Sequence, residues 1–242
     1  MSLMKLHLGL DTRTGLLELR RDGGSEHYRV PSRPELRSDD ASYSRCYCEE
    51  NVCLLLPRLH RARPMDAGAC ALVISNATRT VAVWRQASGR PDAAVVWDYH
   101  VVAAAVDAAG DAWVWDADTT LPWPCSLPAY LAGAFGYGGG TDVPARLSPR
   151  FRVVAADAYV AHFSSDRSHM RANGGWLAPP PRYAPLRGAA SESAHELPRL
   201  WDVRALGRAA DDGEAAAWLG DVVALDDLES AVARCCGRPL RD

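Results

Sequence analysis

The sequence of 242 residues has no run of about 18 apolar residues, the length that a membrane-spanning helix requires. It also has no excess of positive charge, because 27 Lys and Arg face 30 Asp and Glu for a net charge of −3. Nucleic acids and anionic membranes bind basic surfaces, so we expect neither as a partner. The N-terminus lacks the apolar stretch and cleavage site of a secretion signal, and Asp11 and Glu18 disfavour a mitochondrial presequence. We therefore expect an intracellular protein, in the cytoplasm or in both cytoplasm and nucleus.

Phosphate-binding motifs are missing as well. The glycine-rich segment GYGGGTD (136–142) lacks the Lys-Ser or Lys-Thr pair of a phosphate loop, and no Gly-x-Gly-x-x-Gly occurs. We interpret this segment as a flexible connection and expect no nucleotide cofactor. Hydrophobic residues make up 48% of the chain and charged residues 24%, which is typical of a globular protein with a substantial core.

Polar composition marks two segments as lying outside the core. Residues 1–41 are rich in Arg, Asp, Gly and Ser, and we predict an N-terminal extension that is partly disordered. Residues 184–217 show no sustained periodicity and are predicted to form an insertion or long loop. The remainder of 42–242 is predicted to be a single domain.

Hydrophobic periodicity predicts a mixture of helices and strands. Glu49–Leu59 has an apolar stripe after two acidic residues, which favours a helix. Further helices are predicted at 126–136, after a capping Asp157, and after Asp226 or Asp227 up to Gly237. Strands rich in Val and Trp are predicted at 69–76, 80–86, 93–106, 112–118, 151–156 and 221–225. This order predicts an α+β fold in which helices cover a mostly antiparallel sheet.

Three of the seven cysteines lie within eight positions, in SYSRCYCEENVCLLL (42–56). A disulfide framework is the least expected explanation, because the number is odd and the expected compartment is reducing. Zinc bound by Cys46, Cys48, Cys53 and a histidine is disfavoured, because the spacing is not that of paired C-x₂₋₄-C motifs. Two explanations stay open, a nucleophile and an inert buried cysteine, and spacing alone favours the inert one.

Cys48 is the candidate nucleophile because it lies where the first helix should begin. Unpaired backbone N–H groups and the positive end of the helix dipole favour a thiolate there. We expect the pKa of Cys48 to fall by a unit or more below the usual ~8.5 of a free cysteine.

His100 and Asp116 flank the turn signal DAAG in a predicted hairpin. An odd-length loop centred on Ala108 would place the two residues directly opposite each other on one face of the sheet. Each residue alone is more commonly structural, but with Cys48 they form a Cys–His–Asp set. In such a set the histidine exchanges a proton with the thiol, the aspartate orients the imidazole, and the backbone N–H of Cys48 can bind an oxyanion.

Six blocks resemble one known family. They are YSRCYCEENV, VISN, VVWDYHVV, WDADTTLPWPC, FRVVAADAYVAHFSSDRSHM and PPPRY. In this order they are similar to the protein N-terminal glutamine amidohydrolase family, densely from Tyr43 to Tyr183 and more faintly from Trp218 to Gly237.

The resemblance implies a monomeric α-β-α sandwich related to transglutaminase-like and papain-like cysteine hydrolases. It implies deamidation of an N-terminal glutamine to glutamate with release of ammonia, which in eukaryotes feeds the Arg/N-degron pathway. The family's catalytic residues fall on Cys48, His100 and Asp116. The implied partners are proteins or peptides with a free N-terminal Gln, and no metal or other cofactor is implied.

Candidate substrate-binding residues surround these three positions. The tentative set is Tyr47, Glu49, Asn76 and Trp97. The α-ammonium group of the substrate needs an acceptor, for which the side-chain candidates are Glu49, Asp98, Asp118 and Asp166. Structural roles compete with these: aromatic residues beside strands are often core, Asn76 can cap a turn, and Asp166 can pair with Arg167.

Two rival functions remain at this point. One is a papain-like or transglutaminase-like hydrolase that acts on another amide. The other is a non-catalytic protein that binds N-termini, which the complete Cys–His–Asp set disfavours.

Overall fold

The computed structural model describes residues 43–62, 68–136, 143–208 and 217–240, together with the backbone of three N-terminal strands. Those strands, β1 (His7–Asp11), β2 (Leu16–Arg21) and β3 (Gly24–Arg29), pair in order as an antiparallel sheet. The predicted extension 1–41 therefore contains a sheet of its own. Its other residues and most of the predicted connection 136–142 lie outside the described part of the chain.

A seven-stranded sheet forms the centre of the molecule, and every neighbouring pair in it is antiparallel. From edge to edge its strands are β13 (Gly207–Arg208), β14 (Asp221–Ala224), β10 (Arg150–Ala155), β4 (Ala69–Ser75), β7 (His100–Val106), β8 (Ala112–Trp115) and β9 (Cys125–Ser126). Two small sheets pair β5 (Val81–Val83) with β6 (Val95–Trp97) and β11 (Arg171–Ala172) with β12 (Gly175–Trp176). The predicted mostly antiparallel sheet is confirmed.

Helices pack on both faces of this sheet. One face meets α1 (Cys48–Ala62), α3 (Ala156–His162) and α4 (Leu197–Trp201), and the other meets α2 (Leu127–Phe135) and α5 (Leu228–Cys235). Alternate residues of β7 join the two cores, Val101 on the α1 side and Val102 on the α2 side. Because both faces are covered, β7 is apolar along nearly its whole length instead of alternating with polar residues.

The predicted strand 93–106 is wrong as a single element. It divides into β6 and β7, which belong to different sheets, and the break falls at Asp98 and Tyr99. The Asp98 carboxylate accepts a hydrogen bond from the Tyr99 backbone N–H at 3.0 Å, and Ser75 Oγ donates to the Asp98 carbonyl at 2.6 Å. These local bonds compete with sheet pairing and turn the chain.

The helices begin and end near the predicted positions, but the residues predicted to cap their N-termini do not form capping hydrogen bonds. Gly136 ends α2 in the left-handed conformation as expected, with φ +67°. Asp157 lies inside the first turn of α3, after Ala155 as the N-cap, so its predicted capping role is wrong. Ser126 and Asp227 stand at N-caps but make no side-chain capping bond.

The segment 184–217 is described up to residue 208. It is mostly irregular, yet its helix α4 contributes Leu197 and Leu200, both fully buried, to the core beside α1. Within the described residues, no helix combines the length and apolarity that crossing a membrane requires.

Candidate active site

Helix α1 begins at Cys48 because the chain before it is folded into a tight cap. Asn51 and Ser44 exchange two hydrogen bonds, Ser44 N to Asn51 Oδ1 and Asn51 Nδ2 to the Ser44 carbonyl, both at 2.9 Å. Cys46 adopts a left-handed backbone with φ +66°, which reverses the chain just before the helix. The Cys48 thiol, partly exposed, accepts a hydrogen bond from the backbone N–H of Val101 in β7. The predicted helix-start position of Cys48 is therefore confirmed.

His100 immediately precedes Val101 and forms a buried pair with Asp116. His100 Nε2 lies 2.9 Å from Asp116 Oδ1, and both side chains are at most 2% exposed. Trp97 stacks on the imidazole with ring centroids 5.8 Å apart. Because Nε2 faces the carboxylate, Nδ1 is the ring nitrogen left to exchange a proton with a thiol.

Asp116 accepts four hydrogen bonds. Besides His100, the donors are Gln86 Nε2 at 3.0 Å, Tyr130 OH at 2.9 Å and the Asp118 backbone N–H at 2.9 Å. Neither Gln86 nor Tyr130 was singled out from the sequence. They are distant from Asp116 in sequence or lie in another type of element, and neither belongs to a recognisable motif. Four donors fill the acceptor positions of a carboxylate, so Asp116 is held rigidly against the imidazole.

The turn of the β7–β8 hairpin is centred one residue later than predicted. Ala103 lies opposite Trp115 and Val106 opposite Ala112, so the loop is centred on position 109 and not on Ala108. His100 and Asp116 are therefore diagonal neighbours, not directly opposite residues. The loop is still odd in length, so both side chains point to the same face and meet.

The pKa values of this pair are shifted in opposite directions. Burial lowers the pKa of His100, but the adjacent Asp116 carboxylate outweighs it and raises the pKa above the usual value. Burial alone would raise the pKa of Asp116, but the His100 charge and the hydrogen bonds it accepts leave it lowered. The pair thus favours imidazolium beside carboxylate.

The expected low pKa of Cys48 is wrong. Burial raises the pKa of the thiol well above its usual value, and the negative charges of Glu49 and Asp118 raise it further. The thiol donates toward Glu49 Oε2 at 3.7 Å, and only the Val101 N–H favours the thiolate. These surroundings therefore favour the thiol over the thiolate at Cys48.

A cleft of about 420 Å³ opens beside Cys48. Val52, Leu55, Trp115 and Trp123 supply apolar walls, and its polar lining includes Tyr43, Asn51 and Asp118. Tyr43 and Trp123 were not singled out from the sequence, since nothing in their local pattern marks them. A mostly apolar cleft with a thiol in its lining suits an uncharged side chain with a reactive carbonyl.

The tentative substrate-binding residues lie in different settings. Tyr47 is fully buried and donates its hydroxyl to the Ala178 carbonyl at 3.2 Å. Asn76 uses its amide to hold the turn, donating to Thr80 and Arg146 carbonyls at 3.0 and 2.9 Å. Trp97 is the residue stacked on His100. The substrate-binding roles of these residues remain predictions. These contacts join them to other residues of the chain.

Glu49 lies against Cys48 but is completely buried. Its Oε2 accepts a hydrogen bond from Tyr99 OH at 3.1 Å, and Tyr99 OH also meets His169 Nε2 at 3.0 Å. Its Oε1 lies 3.5 Å from His169 Nε2. Glu49 is thus part of a polar network beneath the helix start.

Arg167 pairs with Glu50 and not with Asp166, which corrects the alternative considered for the SDRSHM block. Two nearly parallel hydrogen bonds, at 2.7 and 2.8 Å, join the buried guanidinium to the Glu50 carboxylate. Asp166 is 46% exposed in its side chain and lies 3.3 Å from His195.

Within the described residues, the group of donor atoms close enough to share a metal ion consists of His100, Asp116 and Asp118, with separations within 4.8 Å. The clustered cysteines do not belong to it. Asp116 already directs its oxygens at four donors, so this set does not fit a resident metal.

Comparison with known proteins gives one consistent result. Residues 43–232 match the family model described as N-terminal glutamine amidase. A Drosophila pseudoobscura protein N-terminal glutamine amidohydrolase is 44% identical over 152 residues, which are 61% of this chain and 72% of the relative. Proteins of the same name from Homo sapiens and Bos taurus are 39% and 38% identical over 160 residues, covering 65% of this chain and 75% and 74% of theirs.

Proposed function

The chain belongs to the N-terminal glutamine amidase family, and from this premise we propose that it hydrolyses the side-chain amide of an N-terminal glutamine to glutamate and ammonia. The observation that carries the proposal is the position of the Cys48 sulfur on the N–H of Val101, directly after His100, whose imidazole is fixed by Asp116. A thiol in the cleft and a fixed imidazole next in sequence to its hydrogen-bond donor support the roles of nucleophile, base and orienting carboxylate for Cys48, His100 and Asp116.

The first half-reaction forms an acyl-enzyme. The Cys48 sulfur attacks the side-chain carbonyl carbon as its proton passes to His100 Nδ1. The oxyanion that develops is stabilised by backbone N–H groups at the start of α1, where the helix dipole is positive. His100 then gives the proton to the amide nitrogen, the C–N bond breaks, and ammonia leaves a γ-glutamyl thioester on Cys48.

The second half-reaction regenerates the enzyme. Water gives a proton to His100 as its oxygen attacks the thioester carbon. The C–S bond breaks, the sulfur recovers the proton, and glutamate is released. Asp116 stays ionised throughout, since its four hydrogen bonds and the imidazolium favour the carboxylate.

The raised pKa of Cys48 shapes this mechanism. The raised pKa keeps Cys48 protonated in the resting enzyme, so its proton passes to the neutral form of His100 as the sulfur attacks bound substrate. This arrangement keeps the thiol unreactive toward solutes until a substrate amide occupies the cleft.

Three further properties form part of the proposal. A nucleophile at the start of a helix packed on an antiparallel sheet supports membership of the papain-like and transglutaminase-like superfold. The enzyme acts as a monomer. Its product, an N-terminal glutamate, is a substrate for arginylation, which places the reaction in the Arg/N-degron pathway of a eukaryotic cell.

Ammonia release from three matched peptides tests the function. We expect turnover of a peptide that begins with Gln, and none of its N-acetylated form or of a peptide with the same Gln placed internally. Equal turnover of all three would reject specificity for the N-terminus and favour a general amide hydrolase. Binding of the Gln-initiated peptide without ammonia release would favour a non-catalytic binder of N-termini.

A further inference from the structure

The cleft beside Cys48 contains one ionic group. Among the described residues that line it, Asp118 carries a formal charge, and the others are apolar or neutral at physiological pH. A substrate with a free N-terminus brings an ammonium group into this cleft. Burying that cation without a partner would be strongly unfavourable, so recognition needs an acceptor near the thiol.

Asp118 is held in place through one of its two carboxylate oxygens. Tyr43 OH donates to Asp118 Oδ1 at 2.5 Å, and the Asp118 backbone N–H donates to Asp116 Oδ1. Within the described part of the chain, Asp118 Oδ2 accepts no hydrogen bond and no Lys or Arg nitrogen lies within 4.0 Å of the carboxylate. Burial raises the pKa of Asp118, and this effect outweighs the lowering by His100, Arg45 and the Tyr43 hydrogen bond.

The other carboxylates considered for this role are engaged elsewhere. Glu49 is completely buried under Tyr99 and does not line the cleft. Asp98 is 54% exposed and pairs with Arg79 at 2.7 Å. Asp166 pairs with His195 at the surface.

Spacing agrees with the length of a glutamine side chain. An oxygen of Asp118 lies within 4.8 Å of a ring nitrogen of His100. In an extended glutamine about 5 Å separate the α-nitrogen from the side-chain carbonyl carbon, because four bonds of about 1.5 Å join them. Because Cys48 and Asp118 line the same cleft, a glutamine whose amide lies at the sulfur can direct its α-ammonium toward the Asp118 carboxylate.

We propose that Asp118 is the specificity-determining residue that binds the α-ammonium of the N-terminal glutamine, with Tyr43 as the residue that positions its carboxylate. This assignment rests on the proposed deamidation. It explains why an acetylated N-terminus would be refused: the neutral amide has no charge to offset the buried carboxylate, and the acetyl group needs space beside Tyr43 and Asp118.

The test compares two peptides that differ only in the α-amine. One begins with Gln, and the other carries a 4-carbamoylbutanoyl cap, which is the same residue without the amine. For the wild-type full chain we expect kcat/KM on the Gln peptide to exceed that on the capped peptide by at least about 30-fold. This ratio corresponds to the contribution of a desolvated charge pair to binding. In Asp118→Asn this preference should vanish, because KM for the Gln peptide rises until the variant's kcat/KM is the same on both peptides.

Two further variants test the positioning role of Tyr43 and provide a control for the change from Asp to Asn. Tyr43→Phe retains the charge but removes its positioning bond, so it should reduce the preference for the Gln peptide less than Asp118→Asn does. Asp157→Asn, the same change at an exposed position in α3, serves as the matched control.

Equal losses on both peptides in Asp118→Asn would overturn the assignment, because they would show a structural or general catalytic role. A wild-type enzyme without preference between the peptides would overturn it too. A wild-type enzyme that releases ammonia from neither peptide would instead contradict the proposed function on which the assignment depends.

Discussion

The two acids at the end of β8 differ in their surroundings and therefore in their chemistry. Asp116 accepts hydrogen bonds from His100, Gln86 and Tyr130, and the stabilised negative charge gives it a lowered pKa. Asp118 has one hydroxyl donor and a raised pKa. The first is suited to fixing an imidazole, and the second to accepting a cation from outside.

Asp116→Asn tests the role of the first acid through the pH profile. In the proposed mechanism one proton must leave the Cys48–His100 pair before attack, and Asp116 favours that proton on the imidazole by raising the pKa of His100. We expect wild-type kcat/KM to rise with pH through an apparent pKa above the ~6.5 of a free histidine. Asp116→Asn should lower kcat by about 10²- to 10⁴-fold and move this acidic limb to lower pH. A reduced rate with an unmoved limb would contradict the assigned role.

Motifs identified the His100–Asp116 pair and its neighbour Cys48, but not the geometry that relates them. The spacing of His100 and Asp116 predicted a shared face correctly and a direct pairing incorrectly, because the turn is centred one residue later. The pKa of Cys48 was predicted in the wrong direction. Helix position is readable from sequence, whereas burial and the proximity of Glu49 and Asp118 depend on the folded chain.

At the scale of elements, the start of α1 is fixed by a buried ion pair. Besides its two bonds to Glu50, Arg167 donates to the carbonyls of Tyr183 at 3.0 Å and Pro181 at 3.3 Å. The guanidinium thereby joins the first turn of α1 to the chain around residues 181–184. The blocks SDRSHM and PPPRY are thus connected in space, a contact that no local pattern reveals.

Breaking this ion pair should destabilise the fold. Arg167→Met leaves the Glu50 carboxylate buried without its partner, so we expect unfolding to become about 3–5 kcal/mol easier and Tm to fall accordingly. Thermal unfolding followed by circular dichroism measures the change. Arg204→Met, which removes an exposed guanidinium paired with Asp202, is the control and should leave Tm nearly unchanged. Equal shifts in the two variants would show that the buried pair has no special role.

At the scale of the whole molecule, the site is assembled from parts that are distant in sequence. Cys48 comes from α1, His100 from β7 and Asp116 from the end of β8. His100 contacts Asp116 directly, and the next residue of β7, Val101, donates its backbone N–H to the Cys48 sulfur. The layers were predictable from apolar periodicity, since helices and strands with one buried face must cover each other. The division of residues 93–106 between two sheets was not predictable, because a Val-rich sequence is compatible with a strand in either sheet.

Removal of residues 1–41 tests the predicted boundary of the catalytic domain. The family match begins at residue 43, and β1–β3 pair among themselves in a sheet separate from the central one. We therefore expect the truncated protein to keep the wild-type kcat/KM on a Gln-initiated peptide. A large loss of activity in a folded truncated protein would show that the extension belongs to the site.

Ammonia release by two cysteine variants is the most direct test of the central claim, that the sulfur of residue 48 attacks the substrate. Cys48→Ser should release no measurable ammonia from a Gln-initiated peptide, because a hydroxyl held at this position is a far weaker nucleophile. Cys46→Ser, two residues away, should retain most of the activity. An active Cys48→Ser enzyme, or an inactive Cys46→Ser enzyme that is natively folded, would contradict this account.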